Sequence, residues 1–119
     1  MKLKDDSAFI WMEILVVIGI ISILAAIAIQ QFTSYRTQGV DTQMRSDLKN
    51  AAIAMEGYFA EYRSYPTSLS AITAKGFRQT SGVELTIVVT SPSTFTLTAS
   101  KPAGTQPSFV FNSTTGSIN

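Results

Sequence analysis

Residues 8–29 form an uninterrupted apolar run whose one formal charge is the carboxylate of Glu13. In helical form, at about 1.5 Å of rise per residue, the run reaches about 33 Å, against about 30 Å of hydrocarbon in a bilayer. A helix apolar on every side must be covered by lipid or by protein. A cleavable secretory signal fits poorly, because its apolar region runs about 7–15 residues and ends in small residues at a cleavage site. Here Ala25, Ala26 and Ala28 sit within the helical pattern. Lys2 and Lys4 precede the span, and the neighbouring Asp5 and Asp6 count little in the positive-inside rule, so the N-terminus is expected in the cytoplasm.

Glu13 is the residue to explain. A carboxylate at the bilayer centre costs about 2.5–3.5 kcal/mol on insertion scales, and less near a helix end. A plain anchor would be better served by isoleucine, so the acid is a functional-site candidate in search of a partner. The bland explanation is that it reaches the interface or favours the positive end of the helix dipole.

Composition removes whole classes of chemistry. The chain has 119 residues with no cysteine and no histidine. Disulfides, thiolate or imidazole metal ligands and His-dependent triads are therefore excluded. The remaining carboxylates and hydroxyls form no recognisable catalytic motif, so an enzyme is not expected and no cofactor is called for. A net charge of +1 gives no bulk reason to bind nucleic acid.

Beyond Gln30 the sequence turns polar, yet Val40, Met44, Leu48, Ala51, Met55, Tyr58 and Tyr62 recur at spacings of three and four. That is one stripe of an amphipathic helix, with Asp41, Arg45, Lys49, Glu56 and Arg63 mainly off it. No proline intervenes before Pro66, so one helix of roughly fifty-five residues is predicted, ending near Arg63 to Pro66. Residues 69–82 read as a connector. Residues 83–90 are rich in β-branched side chains and residues 94–99 alternate strictly, so the two should pair as a hairpin across Ser91, Pro92 and Ser93. Residues 108–112 give a third strand and Ser117-Ile118 a short fourth. A small sheet alone is marginal; laid on the stripe, it covers a face that needs covering. The fold class expected is α+β: a long N-terminal helix, membrane-spanning in its first half and amphipathic in its second, packed on a small C-terminal antiparallel sheet of three to four strands.

The N-terminal pattern resembles that of type IV pilins and the related pseudopilins. It carries Phe9, Glu13 four residues later, and an apolar helix closing in Ile23-Leu24-Ala25-Ala26-Ile27-Ala28-Ile29-Gln30-Gln31-Phe32. The resemblance implies a leader of residues 1–8, a transmembrane and filament-core helix of 9–30, its amphipathic continuation over 31–64, and a connector with sheet over 65–119. It implies cleavage by a prepilin peptidase between Ala8 and Phe9, and N-methylation of Phe9. Assembly into a homo-oligomeric helical filament through Phe9 and Glu13 would follow, driven by an inner-membrane platform and ATPase. Glu13 would then meet the ammonium of a freshly exposed chain end, its own or a neighbour's. The precursor would lie in the cytoplasmic membrane and the product in an extracellular pilus serving adhesion, motility or surface contact. A pseudopilin or minor pilin of a type II secretion or DNA-uptake machine is the alternative.

Some residues depart from the family pattern. Ala8 stands where glycine is usual, and Asp5 and Asp6 where leaders are commonly basic. Gln30 replaces a proline and Ser22 a glycine, so the helix through residues 22–30 should be more continuous than in most pilins, where proline costs about 3 kcal/mol. Major pseudopilins typically hold calcium in C-terminal loops, which takes several oxygen ligands; after Glu61 this chain has only Glu84 as an acid. From Arg63 onward, four basic residues (Arg63, Lys75, Arg78, Lys101) face that one acid, a local +3 that can attract DNA or an anionic surface but more often is merely solvated. The aromatics along the helix read as packing groups before they read as an electron path.

Overall fold

The computed structural model describes residues 2–119, with side chains from Ser7 onward. Its elements in chain order are α1 (Lys2–Tyr62), α2 (Leu69–Thr73), β1 (Glu84–Ser91), β2 (Thr94–Ser100), β3 (Ser108–Asn112) and β4 (Ser117–Ile118). The fold is α+β. The chain divides into two compact units between Tyr35 and Arg36, described separately below.

In the first unit α1 is helical from Lys2, before the apolar run begins. The expected start near residue 8 was too late, since no proline or glycine interrupts residues 2–8. Helical structure is unbroken through residues 22–30. Ser22 donates to the Ile18 carbonyl at 2.8 Å and Thr33 to that of Ile29 at 3.0 Å, so both hydroxyls are satisfied within the helix. In assembled filaments we expect slow amide exchange across residues 22–30; rapid exchange there, measured by hydrogen–deuterium mass spectrometry, would contradict it.

In the second unit the stripe meets the sheet. Met44, Leu48, Ala51 and Met55 are fully buried, against Leu85, Phe95, Leu97, Ala99 and Phe109 from the strands and Ile72, Phe77 and Val83 from the connector. Val40 is half-buried against the same core. Tyr62 is 56% exposed, so the stripe's contribution to the core ends before it. The sheet is a meander in the order β1-β2-β3-β4, every neighbour antiparallel. Alternation works as read: in β2, Phe95, Leu97 and Ala99 go inward while the threonines between them remain partly exposed.

Some details differ from expectation: β1 runs through Ser91, which pairs with Thr94, so the hairpin turn is Pro92-Ser93 alone, and β2 extends to Ser100. The connector contains α2, a single turn built on the Leu69–Ile72 spacing, with Thr73 bonded to the Leu69 carbonyl at 2.8 Å. Five residues are too few for periodicity to reveal. Strand β1 starts at Glu84 rather than Val83, because both backbone groups of Val83 are engaged elsewhere. Its N–H donates to the Thr80 carbonyl at 3.1 Å, and the Gln79 side chain donates to its carbonyl.

Two aspartates fasten the loops to α1 in the same way. Asp47, 2% exposed, accepts from the Thr80 N–H at 2.8 Å and its hydroxyl at 2.6 Å. Asp41 accepts from the Thr105 N–H at 2.8 Å and from the Thr105 hydroxyl. Lys101 joins the two loops, donating to Gln43 at 2.7 Å and to the Ser81 carbonyl at 3.3 Å. Asp41 is thus a half-buried clamp rather than a solvated residue.

Gly104 makes the Asp41 clamp possible. A Cβ there would lie 2.6 Å from Asp41 Oδ1 and 2.9 Å from Met44 Cε. The methionine end can swing away, but the carboxylate is held by two hydrogen bonds. Gly104→Ala is therefore expected to cost about 1–3 kcal/mol, the usual range for overpacking, read as a lowered melting temperature of the detergent-solubilised chain.

Candidate functional site

The candidate site lies on the first unit and is built by α1 alone. Phe9, Met12, Glu13 and Val16 line one shallow recess, as helical spacings of three, four and seven require. Phe9 is 78% exposed, and every large apolar side chain from there to Ile29 is also exposed. None of the most apolar window of this helix is buried. A bare apolar surface of that size on a helix long enough to cross a membrane has two good solvents: lipid, and other helices of its kind.

Glu13 is exposed on that surface and makes no ion pair among the described residues. Phe9 lies one helical turn before it, on the same face. The Ala8–Phe9 peptide bond sits inside the helical run. The structure therefore places Phe9 and Glu13 on one recess, with Ala8 adjoining Phe9 in the chain. As long as residues 2–8 continue the helix, residue 9 carries an amide and not an amine. Among the described residues, no three acidic side chains cluster as a metal site would need.

On the second unit the charge pattern looks different in three dimensions from its reading in sequence. Lys75 pairs with Glu61 and sits 5.5 Å from the centre of the Tyr62 ring. Lys101 is held between Gln43 and Ser81. Two of the four basic residues counted toward the local +3 are thus tied down internally. Arg45 stacks over Phe109 at 4.9 Å. Tyr65 donates to Glu56 at 3.0 Å; burial first, then that carboxylate, holds its phenol above the ordinary value of 10.0. The Phe59, Tyr65, Phe95 and Phe111 rings follow one another at 4.7, 4.7 and 5.9 Å. Those are packing distances for core aromatics.

One surface feature escaped the sequence reading. Asn50, Ile53 and Gly57 on α1 and Lys75 to Arg78 after α2 enclose an open groove of about 550 Å³. Ile53 is 71% exposed within it. The available signal was a β-branched apolar residue standing off the stripe.

A long helix with a naked apolar half, carrying one acid near its start and a small sheet on its other half, defines a subunit made to be inserted and then stacked. Comparison with known proteins gives the same class. No protein-family model matches the chain. It is 30% identical over 104 residues to the type IV wide pilus major component PilA4 of Thermus thermophilus, across 87% of this chain and 79% of that protein. It is 32% identical over 74 residues to the type II secretion system core protein G of Pseudomonas aeruginosa, across 62% of this chain and 52% of that protein. The chain belongs to the type IV pilin-like family. Both relatives are structural components rather than enzymes.

Proposed function

We propose that this protein is a structural subunit of a type IV pilus. It is held in the cytoplasmic membrane by residues 9–30, cut between Ala8 and Phe9 by a prepilin peptidase and methylated on Phe9. An inner-membrane platform and ATPase then move it into an extracellular filament. The observation that carries this reading is the exposed apolar half of α1 with Glu13 as its sole charge. Lipid covers the apolar side chains before assembly and neighbouring helices cover them afterwards. Cleavage converts the Phe9 amide into an ammonium, one turn from Glu13 on its own chain and available to Glu13 of a neighbour. A buried carboxylate meeting an ammonium is compensated, and such a pair sets register more than it adds stability.

Between pilus and secretion pseudopilus, the shortage of acids in the C-terminal region favours the pilus. Major pseudopilins typically hold calcium in C-terminal loops through several oxygen ligands, and after Glu61 this chain has only Glu84 as an acid. Fibres sheared from cells that make this chain should contain it as a principal protein, and cells lacking its gene should yield none of those fibres. Fibres unchanged by the deletion would refute the reading.

A further inference from the structure

We infer that the groove between α1 and the residue 75–78 loop receives the outer face of β1 from a second copy of this chain; the inference rests on the filament reading above. Two surfaces of the second unit are complementary in character. The groove offers Ile53, 71% exposed, with Arg78 on its rim. Arg78 is exposed and makes no ion pair among the described residues, whereas its neighbour Lys75 is already held by Glu61.

The matching surface is β1. Its residues alternate, so Glu84, Thr86, Val88 and Thr90 share the exposed face. Val88 is the large apolar side chain of the sheet left 50% exposed, and Glu84 is the one acid after Glu61. They lie about 13 Å apart along the strand, at about 3.3 Å per residue. Glu84 makes no ion pair among the described residues. Lys101 borders the same recess as Glu84, but its ammonium is engaged by Gln43 and Ser81. Among the described residues, each surface thus holds one exposed apolar side chain and one charge without an ion pair, of opposite sign. In the contact, Val88 of one copy packs beside Ile53 of the next, and Glu84 pairs with Arg78.

The two patches are different parts of the molecule, so in a filament the contact repeats head-to-tail. Contacts of that kind propagate into open helical assemblies instead of closing into pairs. Repeated in one direction the contact builds a filament, whereas a reciprocal two-fold pairing of the same patches would stop at a dimer.

The absence of cysteine makes the test clean. Full-length chains carrying Ile53→Cys and Val88→Cys are expressed in cells, and their sheared filaments are oxidised with copper phenanthroline. A disulfide forms only where Cα atoms approach within about 7 Å. The double variant should give a ladder of dimers, trimers and higher species, and either single variant should give none. Intact filaments without a ladder, or a product that stops at dimers, would overturn the inference while leaving the filament reading in place. Failure of the unsubstituted chain to enter filaments would instead count against that reading. Charge reversal supplies a second readout. Arg78→Glu alone should cut filament yield at least fivefold, and adding Glu84→Arg should restore it; no restoration would also overturn the contact.

Discussion

Glu13→Gln should leave the head folded and the chain in the membrane, yet lower the yield of surface fibres by at least tenfold. The helix keeps its length and apolar character, so insertion is unharmed and even slightly easier. What is lost is compensation for the ammonium on Phe9 once cleavage has exposed it. Removing one partner of a buried ion pair costs about 3–5 kcal/mol, and about 1.4 kcal/mol is a factor of ten in association. Subunits should therefore accumulate in the membrane fraction, cleaved but unassembled. Quantitative immunoblots of sheared and membrane fractions read this directly. A variant that assembles at the native level would show that Glu13 only sits at the membrane surface.

Asp47→Ala should destabilise the head more than any other single truncation of a polar side chain on α1. Asp47 is 2% exposed and takes both donors of Thr80, which lies between α2 and β1. Truncation leaves the part-buried Thr80 N–H and hydroxyl without their acceptor. Hydrogen bonds to a charged group contribute about 1.5–3 kcal/mol each, and stranded donors cost about as much. A loss of about 3 kcal/mol is expected, seen as a lowered melting temperature of the full chain in detergent. Asp41→Ala, at a more exposed position, should lose less. Combining Asp47→Ala with Thr80→Val should cost less than the sum, because the valine removes one of the stranded donors. Strict additivity would mean that Asp47 acts through something other than Thr80.

These two aspartates show where sequence reading stops. The apolar run, the stripe from Met44 to Met55 and the alternation in β2 are repeating patterns, and repetition survives projection onto one dimension. That Phe9 and Glu13 share one helix face is legible for the same reason, since four residues apart on a helix is a relation fixed locally; their role in assembly was read only from the family resemblance. The clamps are not local. Asp47 meets Thr80 across 33 positions and Asp41 meets Thr105 across 64, and nothing in either neighbourhood distinguishes them from solvated charge. Asp47 even falls beside the stripe, between Met44 and Leu48, where it is drawn into the core's edge. Gly104 was unreadable too, since its lack of a side chain matters only because Asp41 arrives there. The groove needed the loop after α2 to fold back beside Ile53, a relation set by packing and not by spacing.

The clamps also bear on what the head can do. Stretching a filament pulls on α1, and loops tied to that helix through Asp41, Asp47 and Lys101 move with it. The polar ties fasten these loops along residues 41–47, where the buried stripe begins, at the opposite end of it from Tyr62.

The central claim is that an acid persists in this apolar helix because cleavage supplies it with an ammonium. Intact-mass and N-terminal peptide analysis of subunits from sheared fibres tests that most directly. The account predicts chains that begin at Phe9 with a methylated amine and none that retain residues 2–8. Fibres built from subunits that still carry those residues would have no such amine beside Glu13, and the claim would fall.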